Sequence, residues 1–268
     1  MILFPNAKIN IGLQITEKRP DGFHNLESCF YPVPLNDLLE IIPASKTSFE
    51  ISGTDIPGDP STNLCLRAYE RLKVDFELPP VQMYLHKLIP IGAGLGGGSA
   101  DAAFTLRLLN EQFNLALSME QLETYARQLG SDCAFFIQNR PLYCFEKGDH
   151  FQDIDVSLRG YTIVLVYPNL AISTAEAYAN VRPQKPLASL RALLQNPVGT
   201  WRNTIRNDFE TSLFPVYPIL HTVKQELYQA GAIYASMSGS GSTIYGIFEQ
   251  AVSLPDYFHA YQVWQKTI

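Results

Sequence analysis

Charge is sparse in this sequence, and what there is leans acidic. Asp, Glu, Lys and Arg make up 17% of the 268 residues, with a net charge of −6. A general nucleic-acid surface needs a basic stripe to displace counterions, so no nucleic-acid partner is expected. An anionic ligand would have to be held by local features instead. Cysteine is scarce too: Cys29, Cys65, Cys133 and Cys144 form no C-x-x-C pair and no regular framework. They read as buried thiols in a reducing compartment rather than as a disulfide scaffold. The five histidines, at 24, 86, 150, 221 and 259, are scattered and form no H-E-x-x-H, so no metal site built from protein side chains is expected. Long apolar runs are missing as well. "YTIVLVY" at 161–167 is far too short to cross a bilayer, and no leader pattern follows Met1. The expectation is a cytoplasmic protein without a membrane partner, its oligomeric state left open.

Apolar residues make up 46% of the chain, enough for a sizeable core in one large or two medium domains. "INIGLQI" at 9–15 alternates strictly, which predicts a half-buried strand with Lys8, Asn10 and Gln14 on its polar face. "RPDGFH" at 19–24 predicts a turn and then a return strand through "LESCFYPV". Leu64, Ala68 and Leu72 mark a helix over 62–73, and "VQMYLHKLIP" a strand after it. Ala102, Leu106, Leu109 and Phe113 predict a helix that starts near Ser99. Ser118 and Gln121 make a capping box for another, with Gly130 as its stop. Polarity rises and the pattern lapses over 149–160, which suggests a boundary between domains 1–155 and 156–268. A buried strand at 161–167, a helical region over 173–230 and two strands around "SMSGSGS" complete the reading.

The densest signal is "PIGAGLGGGSADAA" at 90–103, with five of the 17 glycines between Gly92 and Gly98. Gly92, Gly94 and Gly97 satisfy G-x-G-x-x-G, but no acidic residue follows at the end of a second strand, as a dinucleotide fold requires. Gly98 stands where a P-loop carries lysine, and H-R-D and D-F-G are absent. A glycine loop that opens a helix presents unpaired N–H groups and a positive dipole end, and Ser99 adds a hydroxyl. Phosphate binding is one reading of it; a tight structural turn is the other. Alternatives stay open elsewhere. Lys8 and Asn10 read as site residues or as a solvated strand face. Asp132 is a base or a helix-cap or turn residue, and Phe23 a ligand contact or a hairpin aromatic packed on the core. "SMSGSGS" at 236–242 is a ligand loop or a flexible hairpin.

Taken together, three stretches resemble the GHMP kinases: "NAKINIGL", "PIGAGLGGGSA" and "MSGSGSTIYGIF", in the family's order and across nearly the whole chain. "RPDGFHNLES", "GLGGGSADAA", "LGSDCAFF", "RNDFE" and "ISTAEAY" are similar to the branch that phosphorylates a cytidine diphosphate alcohol in isoprenoid synthesis. The resemblance implies an α+β fold of two domains, an active site in the cleft between them, and ATP as co-substrate with Mg²⁺ on its phosphates. It assigns ATP to Pro90, Ile91, Gly92, Ala93, Gly94, Leu95, Gly96, Gly97, Gly98, Ser99 and Ala100, with Asn63 and Lys87 beside the adenine. It implies Asp132 as the base and Lys8 as the mobile charge. Asn10 then bonds either the substrate hydroxyls or Lys8. Phe23 and Tyr178 are expected on the two faces of the cytosine and His24 at its edge, with Thr174 nearby. Phe23 departs from the family's usual tyrosine, which keeps stacking and removes a hydroxyl.

Overall fold

The computed structural model describes residues 1–268. Strands run over Ile2–Leu3 (β1), Asn6–Lys18 (β2), His24–Asn36 (β3), Leu38–Pro43 (β4), Ser48–Gly53 (β5) and Val81–Lys87 (β6). Further along come Leu142–Phe145 (β7), His150–Asp153 (β8), Thr162–Tyr167 (β9), Tyr234–Met237 (β10), Ile244–Phe248 (β11) and Gln262–Thr267 (β12). The helices of the first half are Leu64–Phe76 (α1), Gly97–Gln112 (α2), Met119–Leu129 (α3) and Cys133–Gln138 (α4). Those of the second are Thr174–Ala179 (α5), Leu190–Leu193 (α6), Trp201–Thr204 (α7), Phe209–Leu213 (α8) and Pro218–Gln229 (α9).

Two compact units form, and neither is contiguous. Residues 1–7, 35–91 and 96–140 make one; 8–34, 92–95 and 141–268 make the other. A single cut near 155 therefore does not coincide with the folded units. The cause is strand pairing: β3 pairs antiparallel with β7, Ser28 opposite Cys144, and β7 pairs with β8. The polar stretch expected as a boundary, 149–160, begins with that edge strand β8.

In the first unit the sheet order is β1-β4-β6-β5, with β5 and β6 parallel and α1 as their crossover. Asn63 caps α1 by accepting from Cys65 N at 2.9 Å, and Cys65, Ala68, Tyr69 and Leu72 form its buried face. Helix α2 packs against α1, α3 and α4. Its first turns are built from Gly, Ser and Ala, small enough to be covered on nearly every side; Ala100, Ala102 and Ala103 are fully buried. The capping box of α3 is present in both directions, and Gly130 closes that helix by donating to Ala126 O.

The second unit holds two sheets, of order β2-β3-β7-β8 and β10-β11-β9-β12. Helix α9 packs on β10 and β11, and Leu13, Ile15, Val164, Val223, Leu227 and Ile244 share one core. Strand β12 was invisible in the sequence, because its mostly polar, solvent-facing residues follow no apolar alternation. The hairpin through "RPDGFH" forms as expected, but β2 is not half-buried. Lys8 and Asn10, on its polar face, are only 3% and 2% exposed. No helix is long and apolar enough to cross a membrane.

Candidate active site

The glycine loop is shared between the units, 92–95 with one and 96–100 with the other. Its glycines have separate jobs. Gly94 has φ +76°, and a Cβ there would lie 2.0 Å from the carbonyl oxygen of Ser238, so the first glycine loop and "SMSGSGS" meet backbone to backbone. A Cβ at Gly97 would lie 2.8 Å from both Lys87 Nζ and Ile89 Cγ2, so Gly97 faces the interior. At Gly98 a Cβ would meet nothing within 4 Å. Gly98 has helical backbone and is exposed, so nothing in the fold asks for glycine there. Helix α2 has Gly96 as its N-cap and no side-chain cap, so its first-turn N–H groups receive no bond from a capping residue. An uncapped helix start with an exposed glycine in its first turn is chemically suited to an anion.

Lys8 lies beneath the other half of the loop. Its ammonium donates to Asn10 Oδ1 at 2.5 Å and to Gly94 O at 3.1 Å, and stands 4.9 Å from the centre of the Phe30 ring. Its own N–H donates to Leu95 O at 2.9 Å. Ser238 Oγ also donates to Gly94 O, at 2.8 Å, and accepts from Asn10 N at 3.2 Å. Asn10 thus takes the second of its two expected partners, Lys8. Its amide nitrogen is committed as well, donating to Ser28 Oγ at 2.9 Å. The "SMSGSGS" turn is held from behind by Asn207, which donates 2.8 Å bonds to Met237 O and Gly239 O. A Cβ at Gly239 would lie 3.2 Å from Asn10 Oδ1 and 3.4 Å from Lys8 Nζ. This turn is therefore packed against the lysine and is not a loose hairpin.

Lys87, expected beside an adenine, has its side chain turned inward. Its side chain is fully buried, and its ammonium donates to Asp101 Oδ2 at 2.7 Å and to Asp37 Oδ2. Asp37 Oδ1 meanwhile accepts from Leu88 N at 2.6 Å and Ile89 N at 2.8 Å. The triad ties the strand entering the glycine loop to the helix leaving it. Burial, with Asp37 adding to it, pushes the Asp101 carboxyl up to about 7 against the pull of Lys87. Lys87 is raised, because its two carboxylates outweigh its own burial. The next residue, Leu88, is half exposed. Asn63, the other expected adenine neighbour, has its carbonyl oxygen occupied as the α1 cap.

Asp132 stands at the N-cap position of α4, yet its carboxylate makes no capping bond to that helix. Asp132 is half-buried and lies in the turn between α3 and α4, so the turn-residue reading stands beside the base reading. In the hairpin, the face of Tyr178 is covered by a neighbouring ring. His24 stacks on Tyr178 at 4.7 Å and 21°, and Phe209 meets Tyr178 edge-on at 4.8 Å. Planar rings hide their apolar faces well on one another. Phe23 is 59% exposed rather than packed on the core, with the Lys147 ammonium 5.5 Å from its ring centre. Partial burial and the charge of Lys18 lower the His24 pKa. Thr174, exposed, opens α5 beside its cap Ser173.

Ser28, Asp37, Asp101 and Asn207 were not singled out in the sequence. Asp101 and Asn207 lie inside quoted motifs, "GGGSADAA" and "RNDFE"; nothing local marks Asp37.

With this geometry in hand, comparison with known proteins gives a consistent result. Residues 63–140 match the model of the GHMP kinases N terminal domain, and 189–263 that of the GHMP kinases C terminal domain. A 4-diphosphocytidyl-2-C-methyl-D-erythritol kinase of Bacteroides fragilis is 54% identical over 267 residues, 97% of each chain. The enzyme of that name from Cytophaga hutchinsonii is 52% identical over 260 residues, 97% of this chain and 95% of the other. A crystal structure of 4-(cytidine 5'-diphospho)-2C-methyl-D-erythritol kinase superposes with TM-score 0.84 at 29% identity, covering 99% and 98% of the two chains. A mevalonate kinase, at TM-score 0.72 and 11% identity, shares the fold alone. By both its sequence relatives and its α+β, two-domain fold, this chain belongs to the GHMP kinases.

Proposed function

We propose that the protein transfers the γ-phosphoryl group of ATP to the 2-hydroxyl of 4-diphosphocytidyl-2-C-methyl-D-erythritol, in the cytoplasm. The observation that carries the phosphate half of this reading is Gly98, exposed on the first turn of an uncapped helix with open space where a side chain would be. A glycine costs helix stability there and repays none of it in packing, so its use is close approach by a ligand.

Phosphoryl transfer asks the protein for position and charge more than for covalent chemistry. The first-turn N–H groups of α2 meet the phosphates, and Ser99 adds its hydroxyl. Lys8 supplies positive charge toward the transferred group. Asp132 takes the proton of the attacking hydroxyl as the new P–O bond forms and ADP leaves. No group of three or more His, Cys, Asp or Glu side chains is arranged to hold a metal ion, and Mg²⁺ enters as part of the nucleotide substrate. The cytidine end belongs by Phe23, His24, Thr174 and Tyr178. A neutral His24 ring both donates and accepts along a base edge, while Tyr178 meets the base only if His24 swings off its face.

A coupled ADP-release assay tests this with the cytidine diphosphate alcohol, mevalonate, homoserine and galactose side by side. Turnover of the first alone is expected; equal or better use of another alcohol overturns the assignment.

A further inference from the structure

Lys8 is held by a chain of hydrogen bonds whose direction is set at its far end. Gly12 O, a main-chain carbonyl, can only accept, and Ser28 Oγ donates to it at 2.6 Å. With its one proton used, the Ser28 hydroxyl presents only lone pairs to its other neighbour, the Asn10 amide. Asn10 must then offer its NH₂, and Nδ2 donates to Ser28 Oγ at 2.9 Å. That choice turns Oδ1 the opposite way, where it accepts from Lys8 Nζ at 2.5 Å. Ser28 is fully buried, and Asn10 and Lys8 nearly so, which leaves the amide no water to bargain with. Tyr245 Oη, donating to Asn10 O at 2.9 Å, and Ser238 Oγ, accepting from Asn10 N, hold the main chain of Asn10 while the amide is being chosen.

We infer that Ser28 is a positioning residue for phosphoryl transfer: by fixing which way the Asn10 amide points, it holds the Lys8 ammonium in its working place. An amide is nearly symmetric in shape, so packing alone tells oxygen from nitrogen poorly. The hydroxyl at 28 breaks that symmetry. Without it the Asn10 amide no longer has a fixed sense, and a flipped amide would point NH₂ at an ammonium. Lys8 would then lose its short bond and drift from the loop.

The inference rests on the role proposed for Lys8, and the experiment separates the two. Ser28→Ala is expected to lower kcat by roughly 10–100-fold, the scale of a slightly misplaced catalytic group, with both KM values within about twofold of wild type. Ser28→Thr, which keeps the hydroxyl, is expected to restore most of kcat; Ser28→Cys, isosteric but a weak acceptor, is expected to fall between. In an Asn10→Ala background, Ser28→Ala is expected to add little, because the relay is already cut. A general structural role would instead give independent, multiplying losses, and that result overturns the inference. So does wild-type kcat in Ser28→Ala or Ser28→Cys. Should Ser28→Ala fail to fold, Ser28→Cys carries the same cycle. If Lys8→Ala keeps full kcat, the reading of Lys8 fails. If Lys8→Ala is inactive while Ser28→Ala is normal, only the relay fails.

Discussion

Gly97 and Gly98 are neighbours in one helical turn, and the structure predicts opposite consequences for the same methyl group. At Gly98 the added Cβ meets nothing within 4 Å and the backbone is already helical. Alanine there should stabilise the fold by up to about 1 kcal/mol through helix propensity. For a chain of this size that raises Tm by roughly 2–4 °C per kcal/mol. The same methyl occupies the outer face of the proposed phosphate site. Displacing a phosphate oxygen from one charge-assisted bond costs about 1.5–3 kcal/mol, a loss of roughly 10–150-fold in ATP affinity. At Gly97 the methyl would lie 2.8 Å from Lys87 Nζ and Ile89 Cγ2. Overpacking of this kind costs about 1–3 kcal/mol, so Gly97→Ala should lower Tm by several degrees. Gly97→Val should be worse again, and for an interior reason rather than by crowding the phosphates. Differential scanning calorimetry gives the Tm values, and titration calorimetry gives the nucleotide affinity. Wild-type ATP binding in a stable Gly98→Ala protein would refute the placement of phosphates on this face. An undiminished Tm in Gly97→Ala would refute the inward-facing geometry.

Other expectations follow from the same site. Asp132→Asn should lower kcat about 10²–10⁴-fold with ATP affinity nearly unchanged, and near-normal turnover would remove it as the base. The raised pKa of Asp101 means that the folded state holds its proton more tightly than the unfolded chain does, so this group's contribution to stability declines as pH rises toward about 7. Asp101→Asn should match wild type in Tm only below about pH 4, then exceed it increasingly up to about pH 7; a deficit independent of pH would contradict the assignment. Phe23→Ala should raise KM for the cytidine substrate with kcat little changed, and Phe23→Tyr should be nearly silent. His24→Ala should narrow the preference for cytidine over its uridine analogue, and equal use of both by wild type would count against base reading in this hairpin.

Much of this site was legible because its chemistry is local. A glycine cluster before an apolar helical repeat announces an uncapped N-terminus, and Ser118 with Gln121 announces a cap, since both depend on residues within a turn. What stayed hidden depends on contacts distant in sequence. Lys8 and Asn10 alternate as a solvated face should; only the glycine turns at 94 and 239, far along the chain, bury them. Lys87 is an ordinary strand lysine until Asp37, 50 residues earlier, and Asp101, 14 later, converge on it. Tyr178 could be named as a ring beside the hairpin, but its stacking on His24 depends on rotamers that the sequence does not record. Composition records where polarity rises, near 155, and says nothing of the core that Leu13 and Ile15 share with residues beyond 163.

That early hairpin has a consequence for synthesis. Strands β2 and β3 leave the ribosome first, yet the partner that covers the β3 edge, Leu142–Cys144, follows only after the intervening unit has been made. At roughly 5–20 residues per second, the newborn edge waits on the order of ten seconds. During that interval its unpaired N–H and C=O groups and buried-to-be Phe30 stand open to other chains. Ribosome-bound fragments ending near 140 should therefore be the most chaperone-dependent and aggregation-prone, whereas fragments extending past 153 should lose that liability as β7 and β8 close the edge. The gene should also resist being split at 155 into two separately expressed halves, since the second half would then lose Leu13 and Ile15 of β2, which share its core.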